Sequence, residues 1–384
     1  MHYKTFKDLK LSALGFGNMR LPVLVEDNSQ FGGPVDASKA GKMNEYAYEN
    51  GVNYFDTAYG YHSGDSELFT GRTLSRFPRN TWHVATKFPG YDLRLINDPP
   101  KTFNEQLRKL RVDYVDFYLM HNVSETNIDP YTDKGRGIVD YLLGQKKAGR
   151  IRHFGFSAHG RIDTIKRFLD FCGSEMEFAQ IQLNSLDWFL QDAKGKYDLL
   201  TARGIPVWVM EPVRGGRLSS FGADNDAKLK ALRPNESVSA WAFRWLETLP
   251  ALGVVLSGMT TMEQVVDNIE TFKAPDPLKP NEKELYESIV GELVDMIPCT
   301  ACRYCCPECP KDIDIPTMLT LYNEARFVPG FVVLRAMSAI DPERHPSACV
   351  ECGQCKDVCP QKIDVPECLK HFREILDKTP PMNL

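Results

Sequence analysis

The chain has 384 residues, 43% of them hydrophobic and 25% charged, with a formal net charge of −5; this is the profile of a globular protein too long for one core, so two domains are predicted. No stretch approaches the roughly 18 consecutive apolar residues that a bilayer crossing needs, and the start MHYKTFKDLK lacks the apolar core of a secretory signal, so a cytoplasmic protein without a membrane partner is expected. The negative charge lies at one end: residues 286–384 carry 10 Lys and Arg against 15 Asp and Glu, which disfavours nucleic acid and suits a docking partner with a basic face.

In chain order, Tyr3 to Phe6 and Leu9 to Leu11 read as a hairpin. Eight short apolar runs then read as strands: Ala13 to Phe16, Asn53 to Asp56, His83 to Lys87, Tyr114 to His121, His153 to Ser157, Phe178 to Leu183, Pro206 to Met210 and Gly253 to Leu256. Between them lie helix-like segments, among them Ala37 to Asn50 stopped by Gly51, Pro100 to Leu110 after Asp98, Gly137 to Ala148 stopped by Gly149, and Met262 to Thr271. Eight strand and helix alternations predict an α/β fold of the (β/α)8 barrel type, with the hairpin closing its floor. An open doubly wound sheet is the competitor, but no G-x-G-x-x-G follows the first strand. Pro275, Pro277 and Pro280 mark a break, after which Asn281 to Asp295 reads as a helix leading onward. The predicted division is a barrel over 1–285 and a smaller, mainly α-helical domain over 286–384.

Ten of the eleven cysteines fall in that second domain. Cys299, Cys302, Cys305, Cys309 and Pro310 read C-x2-C-x2-C-x3-C-P, and Cys349, Cys352, Cys355, Cys359 and Pro360 repeat it. Soft thiolates at this spacing wrap one face of an iron–sulfur cubane, and in two-cluster ferredoxins the fourth cysteine ligates the other cluster. Two [4Fe-4S] clusters are therefore predicted, one held by Cys299, Cys302, Cys305 and Cys359 and the other by Cys349, Cys352, Cys355 and Cys309. A pair of zinc sites is the alternative, though zinc rarely takes three cysteines in such close succession. Cys306 is adjacent to Cys305 and able to replace it, whereas Cys172 and Cys368 read as plain buried thiols. The intervening segment, Ile315 to Ser338, is apolar and helix-compatible.

In a barrel the chemistry gathers at the C-terminal strand ends. Asp56 ends the second strand, Tyr61 follows in the next loop, Lys87 ends the third strand and His121 the fourth. A lysine cation beside a phenol is expected to stabilise its ionised form, Asp56 to hold Lys87 and His121 to orient a carbonyl oxygen. His62 and His159 read either as further residues of that mouth or as solvated loop groups. Trp188, Trp208 and Trp241 read as barrel packing, with Trp188 also a candidate to line a substrate pocket. The loops Asn122 to Arg136 and Leu218 to Arg233 are expected to shape the pocket.

The segments GVNYFDTAYGY, VATKFP and YVDFYLMHNV resemble the Asp, Tyr, Lys and His tetrad of the aldo-keto reductase superfamily. The resemblance spans the barrel and implies a nicotinamide cofactor bound without a Rossmann motif, with Tyr61 as proton donor to a small aldehyde or ketone. It also implies cofactor contacts. GFSAHG puts Ser157 at the carboxamide with Gln182 beside it. MEPVRGGRL supplies Met210, Pro212, Arg214 and Gly216 around the ring and pyrophosphate. SGMTTMEQVVDN supplies Ser257, Gly258, Thr260, Gln264 and Asn268 toward the adenine ribose, and Met19 lies near the cofactor after the first strand. Three positions depart from the pattern: Ala158 replaces the usual Asn, Met210 the usual stacking aromatic, and Thr261 the Arg that often grips the 2′-phosphate. Losing one charge-assisted bond to a phosphate costs roughly 1.5–3 kcal/mol, so the expectation shifts to NADH, or to loose binding of either NADH or NADPH.

Hydride transfer moves two electrons and a cluster one. One reading is a carbonyl reductase whose clusters either exchange electrons with a ferredoxin or another redox protein or simply support the structure. Another is an electron-transfer protein whose barrel performs no carbonyl chemistry. A flavin that splits the electron pair is a third, without a flavin motif in the chain.

Overall fold

The computed structural model describes residues 1–24, 33–293, 297, 299, 302–327, 329–359 and 361–380, with backbone alone at 93, 94 and 331. The chain divides into two compact units, Met1–Ser185 with Ala193–Tyr286, and Leu186–Asp192 with Glu287–Leu384.

The first unit opens with an antiparallel hairpin, β1 (Tyr3–Phe6) and β2 (Leu9–Ser12). Eight parallel strands follow: β3 (Leu14–Gly17), β4 (Tyr54–Asp56), β5 (His83–Phe88), β6 (Val115–Val123), β7 (Ile151–Ala158), β8 (Ala179–Gln182), β9 (Val207–Met210) and β10 (Leu252–Gly258). They close in the order β10-β3-β4-β5-β6-β7-β8-β9. This is the predicted barrel, each strand within a few residues of its sequence reading. Helices also start where capping chemistry allows: Asp98 accepts from Lys101 N–H ahead of Pro99–Leu110, and Ser237 from Ala240 N–H ahead of Val238–Leu246.

Alternating residues of each strand point inward, and the lower interior is filled by aromatic rings. Phe6 and Leu11 of the hairpin join Tyr54, Phe117, Phe178, Trp208, Val254 and Leu256 in one buried cluster. Phe6 meets Trp208 edge-on at 5.0 Å, and Phe117 meets Phe178 edge-on at 5.4 Å. The hairpin thus seals the floor, which leaves the opposite rim, where Asp56, Lys87, His121, Gln182, Met210 and Gly258 lie, as the open end.

The second unit is built from helices. Ile315–Phe327 packs against Val365–Lys378, with Phe331–Ser338 alongside. Their apolar faces supply Met318, Leu319, Tyr322, Val333, Leu369 and Phe372 to a single core. Each cysteine run leads into a matching start, Ile-Asp-Ile-Pro at 313–316 and Ile-Asp-Val-Pro at 363–366. In both the Asp precedes the helix, with Asp314 accepting from Thr317 Oγ1 and Asp364 from Glu367 N–H. Among the described residues no helix is long and apolar enough to cross a membrane.

Candidate functional site

Lys87 is fully buried at the end of β5 and its ammonium donates to Asp56 Oδ1 at 2.7 Å and to the Thr57 carbonyl at 2.8 Å. Two of its three N–H donors are thereby used. Nζ also lies 5.1 Å from the centroid of the Tyr61 ring. His121 stands nearly perpendicular to Tyr61 with ring centroids 6.2 Å apart. Sequence order alone separates these four residues by up to 65 positions; the closed sheet brings them together.

Burial opposes charge on both Asp56 and Lys87, pushing the carboxyl up and the amine down, and their direct contact acts the other way on each. Tyr61 is buried as well. Burial, then the charges of Asp56 and Glu211, hold its phenol well above the ordinary range. It therefore keeps its proton, as a donor must. The backbone just after Tyr61 is left-handed at His62 and Ser63, with φ of 52° and 54°. His62 is buried, its Nδ1 against the carbonyl oxygen of Gly33, so the solvated-loop reading does not hold for it.

The residues expected at a cofactor line the same rim from β7 round to β3. Ser157 Oγ accepts from Asn122 N–H at 2.9 Å, and Gln182 and Met210 are register partners closing β8 and β9. After Met210 the chain turns through Pro212 into Arg214, Gly215 and Gly216, all with positive φ. Arg214 is buried there. Ser257 and Gly258 end β10, and Asn268 Nδ2 donates to Ser257 Oγ at 2.9 Å. Gln264 Oε1 accepts from Thr260 N–H at 2.8 Å and forms a capping box with Thr261. Thr261, in the position of the absent arginine, is thus a helix cap. Thr260 Oγ1 donates to the Arg20 carbonyl, next to half-buried Met19, and the Arg20 side chain covers Gly258, where a Cβ would meet Arg20 Cγ at 2.8 Å.

In the second unit the thiols surround two cavities, each of about 330 Å3 of space partly open to solvent. One is lined by Cys299, Cys302, Cys305 and Cys359, with Ile315, Leu319, Ile363 and Val365 as apolar walls. The other is lined by Cys309, Cys349, Cys352 and Cys355, with Ile313, Ile315 and Leu369. Each cavity draws three cysteines from one run and the fourth from the other. Among the described residues no three such side chains are grouped to hold one metal ion. Four thiols spread round an apolar chamber fit a polynuclear cluster better than a single zinc. Cys306 packs on the core but lines neither cavity. Cys172 and Cys368 are buried, as read from the sequence. Pro360 lies outside the described residues.

Residues 13–290 match the model of the aldo/keto reductase family. The chain belongs to that family. Residues 298–363 match the model of a 4Fe-4S dicluster domain. Among curated relatives, the NADH-specific methylglyoxal reductase of Escherichia coli K12 is 25% identical over 305 residues, covering 68% of this chain and 90% of the relative. L-galactose dehydrogenase of Arabidopsis thaliana is 26% identical over 306 residues, 73% and 90% of the two chains. A solved aldo-keto reductase from Bacillus halodurans, AKR11C1 in its holo form, superposes with a TM-score of 0.59 at 25% identity, over 75% of this chain and 96% of that one. The protein is thus an oxidoreductase of the aldo/keto reductase family carrying a dicluster domain.

Several residues that support this reductase's site have no signature in the sequence. Tyr91, in the loop after β5, meets His121 edge-on at 5.3 Å, on top of the contact from Tyr61. Tyr131 OH donates to the His121 carbonyl at 2.8 Å and accepts from Gly90 N–H at 3.1 Å, tying the ends of β5 and β6 together. Gln106 donates to the Lys87 carbonyl at 3.0 Å and to Glu67 at 2.7 Å, and accepts from Tyr118 OH at 2.6 Å. These residues reach the site only through tertiary contacts, so no local pattern announces them.

Proposed function

We propose that the barrel catalyses nicotinamide-linked reduction of a small aldehyde or ketone, or the reverse oxidation, with Tyr61 as the proton donor. The observation that carries this reading is the buried Lys87–Asp56 pair at 2.7 Å set beneath the Tyr61 ring, with His121 against its edge. A bound nicotinamide supplies the hydride to the carbonyl carbon. The developing alkoxide takes its proton from the Tyr61 hydroxyl, and the Lys87 ammonium, held in place by Asp56 and the Thr57 carbonyl, stabilises the phenolate left behind. His121 orients the carbonyl oxygen, its own ring fixed between Tyr61 and Tyr91. Ser157 and Gln182 would hold the carboxamide, Arg214 and Gly216 the pyrophosphate, and Gln264 and Asn268 the ribose end.

Thr261 is a neutral helix cap and offers no charge of its own to a 2′-phosphate, which favours NADH. The relative named as NADH-specific accords with that choice. Cys299, Cys302, Cys305 and Cys359 would hold one [4Fe-4S] cluster, and Cys309, Cys349, Cys352 and Cys355 the second. Clusters bound there supply single electrons, to be exchanged with a ferredoxin or similar redox protein.

The test is NADH oxidation by anaerobically purified protein with methylglyoxal and with a panel of small aldehydes. Tyr61→Phe is expected to lower turnover by a factor of about 100 or more while leaving NADH binding intact. Full activity in that variant would remove Tyr61 from the chemistry.

A further inference from the structure

Beneath the Lys87–Asp56 pair, four buried polar atoms are left unsatisfied by their protein neighbours: Asp56 Oδ2, Tyr54 OH, Trp208 Nε1 and Gln180 Oε1. All four side chains are at most 3% exposed. Their placement is not scattered. Tyr54 and Asp56 are two residues apart on β4 and share its inward face. Gln180 and Trp208 are register partners on β8 and β9 and share theirs. Tyr54 and Trp208 both belong to the cluster that fills the barrel interior. Asp56 is also the charge that acts most strongly on the Tyr54 hydroxyl, and Trp208 acts on that hydroxyl as a donor would, although the two do not reach hydrogen-bond geometry. Gln180 spends its amide N–H on Met210 Sδ at 3.7 Å, a weak acceptor, and keeps its oxygen for another partner.

The chemistry of the four atoms is complementary to one molecule. Asp56 Oδ2 and Gln180 Oε1 are acceptors, while Tyr54 OH and Trp208 Nε1 are donors. A water molecule gives two hydrogen bonds and takes two, and buried water characteristically satisfies groups of this kind.

We propose that these four atoms form an internal water site, through which Tyr54 and Trp208 act as positioning residues that hold Asp56 ionised and turned toward Lys87. The role assigned to Asp56 rests on the tetrad reading above; the water site itself does not. Lys87 satisfies Oδ1 and the water satisfies Oδ2, so both carboxylate oxygens accept a bond in a place where burial alone favours the neutral acid. The lysine then keeps its charge for Tyr61.

Tyr54→Phe removes one oxygen and little else, and it gives two separable readouts. The first is a double-mutant cycle with Asp56→Asn, read from thermal unfolding midpoints and independent of turnover. Tyr54→Phe is expected to lower the midpoint, and most of that loss is expected to vanish when Asp56 is already Asn. A neutral or raised midpoint, or strictly additive effects, would overturn the water site. The second readout is the pH profile of kcat/KM with NADH and methylglyoxal. Weaker stabilisation of ionised Asp56 raises its pKa, so the acid limb is expected to move to higher pH by about one unit, a tenfold loss on that limb, with KM for NADH unchanged. A coupled midpoint with an unmoved limb would refute the positioning role and leave only a structural one. If Asp56→Asn retained full turnover, the tetrad reading would fail while the cycle still judged the water site. Trp208→Phe removes the other donor and serves in the same cycle if Tyr54→Phe does not fold.

Discussion

Replacing Lys87 by Met tests the buried pair on which the proposed chemistry depends. Lys87 is 0% and Asp56 3% exposed, and the ammonium and carboxylate are 2.7 Å apart. Removing one partner leaves a buried charge without its counter-ion, which costs about 3–5 kcal/mol. The penalty is pH-dependent, and its sign follows from the carboxyl. Burial raises the folded pKa of Asp56, and the loss of Lys87 raises it further. A carboxyl with a raised folded pKa destabilises the fold once the unfolded chain ionises, so the deficit of Lys87→Met grows as pH rises above about 4. It shrinks as pH falls and the acid is neutral in both states. Urea denaturation at pH 5 and pH 8 reads both quantities. The double variant Lys87→Met with Asp56→Asn places two neutral groups in the same space and is expected to recover much of the loss. The reasoning would be refuted by a Lys87→Met protein as stable as the parent at pH 8, or by a double variant carrying the sum of the single losses.

Three further outcomes follow from the geometry. Thr261→Arg places a guanidinium where the helix cap now stands and is expected to tighten NADPH about tenfold relative to NADH, measured by fluorescence titration of both cofactors. Cys359→Ser removes one wall of the cavity built from the first cysteine run; iron bound per chain is expected to fall from about eight to about four, with the second cluster's paramagnetic signal retained. Gly90→Ala puts a Cβ 2.1 Å from the Tyr131 ring, and the resulting repacking is expected to cost about 1–3 kcal/mol in denaturation and to lower turnover by moving His121, whose carbonyl Tyr131 holds.

The barrel was legible because its strands are buried on both faces and read as apolar runs separated by helical periodicity. Asp56, Lys87 and His121 were legible because strand ends are where such runs stop. The cysteine spacing carried its own geometry, since three thiols at two-residue intervals can reach only one cluster face, and the cavities draw their fourth cysteine from the opposite run. Tyr54 illustrates the limit. In sequence it is one more aromatic in a strand, on the same face as Asp56, and only closure of the sheet brings Trp208 of β9 to it. Tyr131 and Gln106 act over 10 and 19 residues on backbone carbonyls, contacts that no pattern encodes. At Tyr61 the lysine beside the phenol was visible in the sequence and the burial that opposes its ionisation was not. Leu186–Asp192 follows β8 in sequence but groups with the helical unit, a division that chain order does not reveal.

The central claim is that hydride passes directly from nicotinamide to a carbonyl carbon in the barrel. Anaerobic incubation with 4,4-dideuterated NADH and methylglyoxal, followed by mass spectrometry of the alcohol, tests it most directly. The account requires one deuterium on the carbinol carbon of the product, lost together with turnover in Tyr61→Phe. A product carrying only solvent hydrogen at that carbon would contradict it, because the electrons would then have travelled by another route.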